Sequence, residues 1–177
     1  MLSKKIEAAL NKQIELEAAS SNYYLSMASW AEVQGLNGVA TFLYGHSDEE
    51  RMHSTKLLKF VNERGGHGIV PALKAPPVKY KSVTEVFETI LHHEEKVSQS
   101  INELVDLCLK EKDYSTHNFL QWYVTEQIEE EALARTSVDK LKFMGGEKAA
   151  LYFFDRDMAA SATAGAGKAG GANEGGK

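Results

Sequence analysis

The chain has 177 residues, of which 43% are apolar, enough for one domain with a real core. Its formal charge of −5 and the lack of a basic cluster exclude a nucleic-acid surface and make small cations the more natural partner. A single cysteine, Cys108, excludes a disulfide framework or a thiolate zinc cluster, and no stretch has the length of a membrane span.

Met1-Leu2-Ser3-Lys4-Lys5 lacks the apolar core of a signal peptide, which makes the cytoplasm the expected compartment. Ser3 caps a predicted helix to about Gln34, where Gly35 supplies the left-handed turn that ends it. Along this helix Ile6, Leu10, Gln13, Glu17, Ser20, Tyr24, Met27 and Ala31 follow in three- and four-residue steps, an inward face interrupted by Glu17. Asn37 opens a second helix to about Arg64, stopped by Gly65-Gly66. It carries Glu50-Arg51-Met52-His53, a glutamate and a histidine one turn apart that point at the same place. Pro71, Pro76 and Pro77 keep the next segment from becoming helical. That connection of about 17 residues can stretch roughly 55 Å, more than the roughly 40 Å of a helix of about 27 residues, so it can cross a whole bundle.

Ser82-Val83-Thr84-Glu85 reads as a capping box for a third helix to about Lys112, in which Glu94 interrupts the face Val83, Phe87, Ile90, Val97, Ile101, Leu104, Cys108. Asp113 or Ser115 opens the fourth helix, to Met144, with the face Leu120, Tyr123, Gln127, Glu130, Ala134, Leu141. A shorter fifth helix is predicted over about Glu147 to Ala160, and from Ser161 the Ala- and Gly-rich composition of 161–177 predicts a disordered tail. Short first and third connections make hairpins. The predicted fold is therefore all-α: a four-helix bundle with one long crossover between helices two and three, plus a short fifth helix.

Each of the four long helices thus brings a carboxylate to the middle of its seam. Burying one ionised carboxylate without a partner is costly, and several in one layer also repel each other. Lysine and arginine are missing from these seam positions, so two divalent metal ions are predicted to balance Glu17, Glu50, Glu94 and Glu130.

Taken together, Glu17, Tyr24, Glu50-Arg51-Met52-His53, Glu94 and Gln127-Ile128-Glu129-Glu130 resemble the ferroxidase motif of bacterial non-haem ferritins, members of the ferritin-like di-iron proteins that are themselves a standard example of metal sites in bundle cores. The resemblance covers nearly everything except the tail. It implies Glu17, Glu50 and His53 on one iron, with Glu50 bridging to a second iron held by Glu94 and Glu130, Gln127 close by, and Tyr24 in a supporting redox role. Carboxylate oxygen and imidazole suit both ferrous and ferric iron. The resemblance further implies that Fe(II) is the substrate, O2 or H2O2 the oxidant, and a ferric oxyhydroxide mineral the product, stored inside a shell of twenty-four like subunits. Glu49, Glu126 and Glu129 resemble the third iron site of bacterial ferritins, and Glu129-Glu130-Glu131 also reads as a solvated helix edge.

Haem is not expected. In bacterioferritins a methionine directly follows the motif glutamate, where this chain has Arg51, and their second ExxH is replaced by Gln127-Ile128-Glu129-Glu130. At positions matching the acidic access channel of animal ferritins stand His117 and Leu120, which leaves the iron route open. The alternative is a rubrerythrin-like di-iron oxidase or peroxidase without mineral storage; such proteins carry two ExxH motifs and this chain has one. A non-catalytic bundle would leave the four acids uncompensated. His46, one turn before Glu49 and Glu50, reads as a packing or hydrogen-bonding residue, Trp122 as packing, and His67, His92, His93 and His117 as surface or loop residues.

Overall fold

Five helices organise the chain: α1 (Lys4–Val33), α2 (Asn37–Glu63), α3 (Val83–Glu111), α4 (Tyr114–Met144) and α5 (Lys148–Ala169). The computed structural model describes residues 2–145 and 148–169. The caps explain most of the boundaries. Ser3 accepts a hydrogen bond from the Ile6 N–H, and Gly35, at φ +77°, turns the chain out of α1. Ser82 likewise caps α3 through the Glu85 N–H, and Asp113 caps α4 through the Thr116 N–H. Arg64, just after α2, shares Nη2 between the two oxygens of Asp113, 3.1 Å from each, and donates Nη1 to Thr116 Oγ1, tying the end of α2 to the α3–α4 turn.

α2 starts at Asn37, as the sequence predicts, but its cap comes from elsewhere in the chain. Its cap residue, Leu36, offers no side-chain hydrogen bond; the Val39 N–H is instead taken by Asp155 Oδ1 of α5 at 2.8 Å. A Cβ on Gly38 would lie 1.8 Å from the Asp155 carbonyl oxygen, so only glycine lets α5 approach this closely.

Helices α1 with α2 and α3 with α4 form the two hairpins, and α5 packs on α2 and α4. The crossover runs the length of α1. At one end Asn11 Nδ2 donates to the His67 carbonyl while Asn11 Oδ1 accepts from the Ile69 N–H; at the other Ser26 donates to the Pro77 carbonyl and Trp30 meets Tyr80 edge-on. This is the four-helix bundle with one long crossover that the sequence predicts. One boundary differs. The fifth helix, expected to stop at Ala160, runs to Ala169, because the alanines after Met158 carry the highest helix propensity of any residue and outweigh the cost of Gly165 and Gly167. Residues 170–177 of the expected disordered tail lie outside the described residues.

The apolar core is divided in two. One cluster gathers Ile6, Leu10, Ile14, Leu57, Ile101 and Tyr123; the other gathers Met27, Leu43, Phe87, Val138, Phe154 and Met158. Between them, on every one of the four long helices, the buried positions turn polar.

Replacing Gly38 by alanine is expected to destabilise the protein by about 1–3 kcal/mol through overpacking. Thermal unfolding reads the loss, and amide hydrogen exchange should place the new opening in α5.

Candidate metal centre

Glu94 is 0%, Glu17 1%, Glu50 2%, His53 3% and Gln127 5% exposed, so the polar layer is interior and not a solvated edge. Each side chain arrives there by helical phase. Glu17 stands one turn beyond Ile14 and Gln13, Glu94 one turn beyond Ile90, and Gln127 one turn beyond Tyr123, all buried positions. On α2 the three-residue step brings Glu50 and His53 to the same side.

The tightest group is Glu17, Glu50 and His53, whose ligand atoms all lie within 4.8 Å of one another. His53 Nδ1 is 3.9 Å from Glu17 Oε2 and 3.7 Å from Glu50 Oε2. Two ligands each about 2.1 Å from a shared divalent ion stand at most about 4.2 Å apart, so these spacings leave room for one ion between them. Glu17 Oε2 and Glu50 Oε2 are also the two buried side-chain atoms without a hydrogen-bond partner among the described residues. Orphaned acceptors at the core of a bundle call for a cation.

Glu94 is differently placed. Tyr24 donates its hydroxyl to Glu94 Oε1 at 2.7 Å, and Gln127 Nε2 donates to Glu94 Oε2 at 3.2 Å. Gln127 thus turns its amide nitrogen toward Glu94. Tyr123 donates to the His53 carbonyl at 2.8 Å, and Trp122 meets the His53 ring edge-on at 5.1 Å with Lys56 Nζ 3.2 Å above its own ring. The Trp122 reading as packing therefore gains a purpose, because it braces the histidine of the site.

A second group joins His46, Glu49 and Glu130. His46 Nδ1 lies 3.2 Å from Glu49 Oε2 and 3.6 Å from Glu130 Oε2, with its ring 4.2 Å from that of Phe42 and 5.4 Å from that of Tyr24. His46 thus packs and approaches acids within polar-contact distance, in line with its sequence reading as a packing or hydrogen-bonding residue, and the structure adds Glu130 to its neighbours. Its position three residues before Glu49 reverses the Glu50–His53 order, and no spacing along α2 pointed to Glu130 of α4. Glu126 and Glu129, which complete the expected third site, fall in neither three-residue group among the described residues; Glu126 is half-buried, Glu129 is exposed, and their charges reach Glu49 and Glu130 respectively. His93, expected at the surface, is half-buried instead. Its Nε2 sits against Ser20 Oγ and its ring stacks on Tyr23, since α1 and α3 close over it.

Burial dominates the electrostatics. It raises Glu17 and Glu50 well above the usual carboxylate range, with their neighbouring acids adding to the effect, and it raises Glu94 as well. Burial, then the charges of Glu94, Glu49, Glu126 and Glu129, pushes Glu130 up to about 8. His46 is pushed down to about 4 by burial, which keeps its imidazole neutral and able to donate a lone pair.

Residues 7–144 match the ferritin-like domain family. The chain belongs to the ferritin family. It is 46% identical over 156 residues to a bacterial non-haem ferritin of Campylobacter jejuni, covering 88% of this chain and 93% of that one. It is also 46% identical over 158 residues to a probable bacterial non-haem ferritin-like protein of Haemophilus influenzae, covering 89% and 96%. Among solved structures, an open-pore ferritin of the hyperthermophilic archaeon Archaeoglobus fulgidus superposes with a TM-score of 0.88 at 43% identity, covering 90% of this chain and 98% of that one.

In this ferritin the acid layer sets a pH dependence of stability. A carboxyl group that holds its proton to higher pH when folded than when unfolded costs stability as pH rises from the unfolded value toward the folded one. Below about pH 6.5 the buried histidines oppose this, because His46 and His93 sit at about 4 when folded and gain stability as pH rises. The clean window is thus from about 6.5 to the folded value of Glu130, about 8. The metal-free protein should lose melting temperature across that window, and adding a divalent ion should restore it, as calorimetry at several pH values would read.

Proposed function

We propose that this ferritin stores iron by oxidising Fe(II) at the buried acid layer and holding the product as a ferric oxyhydroxide mineral inside a multi-subunit shell. The observation that carries this reading is the pair of orphaned oxygens, Glu17 Oε2 and Glu50 Oε2, converging on His53 Nδ1 inside the bundle. Family membership and the names of the relatives support iron as the metal.

In this reading Fe(II) is the substrate, and Glu17, Glu50 and His53 bind the first ion. Glu50 extends toward a second ion shared with Glu94 and Glu130, whose charges all act on one another. Tyr24 and Gln127 hold Glu94 in place from either side. Two ferrous ions held together give up two electrons at once, taking dioxygen to the peroxide level or peroxide to water, which avoids one-electron steps to superoxide or to hydroxyl radical. The layer also matches the change in charge. Carboxyls that favour the protonated state when empty release their protons to water as a cation takes their place, so binding and neutralisation are one event.

Glu49, with Glu126 and Glu129, extends the acid path from Glu130 toward the helix edge and would draw ferric product away from the pair; His46 joins them as a neutral donor. The shell of twenty-four subunits and the cytoplasmic compartment follow the same reading. No described helix is long and apolar enough to cross a membrane.

Fe(II) added to the aerobic purified protein, with particle size measured in parallel, tests the proposal. Rapid oxidation with many irons retained per large particle is expected. Fast turnover without retention would favour a rubrerythrin-like oxidase or peroxidase instead. Changing Glu50 and His53 together to alanine should abolish the rapid phase and leave thermal stability equal or higher, because a repulsive cluster is relieved. Wild-type oxidation in that variant would overturn the assignment of the site.

A further inference from the structure

Glu17 is bound unequally at its two oxygens. Oε2 faces His53 and has no hydrogen-bond partner, whereas Oε1 accepts from Gln13 Nε2 at 2.7 Å. Gln13 is completely buried, one turn before Glu17 on α1. Its side-chain amide oxygen, Oε1, accepts from Ser100 Oγ of α3 at 2.6 Å. A buried relay therefore runs from α3 through Gln13 to a single oxygen of Glu17. Glu94 has no such asymmetry, since Tyr24 and Gln127 each take one of its oxygens.

The relay has a geometric consequence. A free carboxylate can approach an ion through one oxygen or both. With Oε1 engaged by an amide that is itself anchored on another helix, rotating the carboxylate to present both oxygens would break a buried hydrogen bond and strand the Gln13 donor. We infer that Gln13, held by Ser100, is a positioning residue that makes Glu17 a one-oxygen ligand of the first metal ion. A ligand confined to one oxygen leaves a coordination position open for the oxidant or for product. The inference rests on the reading of the acid layer as a metal site, and it concerns how one of its ligands is set.

Anaerobic titration with Co(II) tests it, because the d–d absorption of high-spin cobalt weakens as the coordination number rises. The full-length protein is compared with Gln13→Met, which keeps nearly the same shape and removes the donor, with Ser100→Ala, and with the double variant. Gln13→Met is expected to lower the d–d intensity of the tightest-bound ion and to weaken its affinity by about tenfold, the usual effect of losing a group that orients a ligand. Ser100→Ala should shift the spectrum in the same direction by less, and the double variant should match Gln13→Met alone, since the three groups form one chain. A spectrum unchanged by Gln13→Met, or losses from the two substitutions that simply add, would overturn the role of Gln13 while leaving the metal site standing. Failure of the unaltered protein to bind Co(II) would overturn both.

Discussion

Burial of carboxylate in the middle of the bundle governs the rest of this structure. Glu17, Glu50 and Glu94 are withdrawn from water almost completely, and each would be unfavourable there as a lone anion. Their presence divides the apolar core, so cohesion must come from the clusters on either side of the layer. Those clusters are rich in Leu, Ile, Val and Phe, whose burial is worth about 1.5–3 kcal/mol for each side chain. The fold supplies stability at its ends and accepts strain at its centre.

Helices are suited to this division of labour. A side chain on a long helix cannot swing far without moving its neighbours, and each acid has packed residues one turn before and after it. The α2 helix carries the densest part of the layer by using the same three-residue step twice: His46 with Glu49, and Glu50 with His53. The order of acid and base is reversed between the two pairs. Glu50 and His53 meet Glu17 of α1 whereas His46 and Glu49 meet Glu130 of α4, so a single helix serves two neighbouring groups that could each hold a metal ion.

Around these groups stand residues that set how the acids and His53 are held. Gln13 and Ser100 fix Glu17, Tyr24 and Gln127 fix Glu94, and Tyr123 with Trp122 brackets His53. Nearly all of them are hydrogen-bond donors, which suits a layer made of acceptors. The same donors also limit how a carboxylate can rotate, and this turns a repulsive cluster into a defined geometry.

The long helices, their caps and the inward faces of α1 and α3 were legible in the sequence, because apolar periodicity and turn residues act over a few positions and need no partner. Glu17, Glu50, His53 and Glu94 could be picked out for the same reason, each being a polar interruption of an apolar face. Local pattern said nothing about which atoms meet. That Asp155 of α5 caps α2, that His93 is covered, that His46 joins Glu49 and Glu130, and that Gln13 reaches Glu17 while Ser100 holds it, all depend on helices far apart in the chain lying side by side. Residue pattern along the chain was enough for the elements and for the depth at which charge is buried, whereas the partners came from how the helices pack, because hydrogen bonds and side-chain contacts are set by distances of a few ångströms that no spacing along one helix specifies.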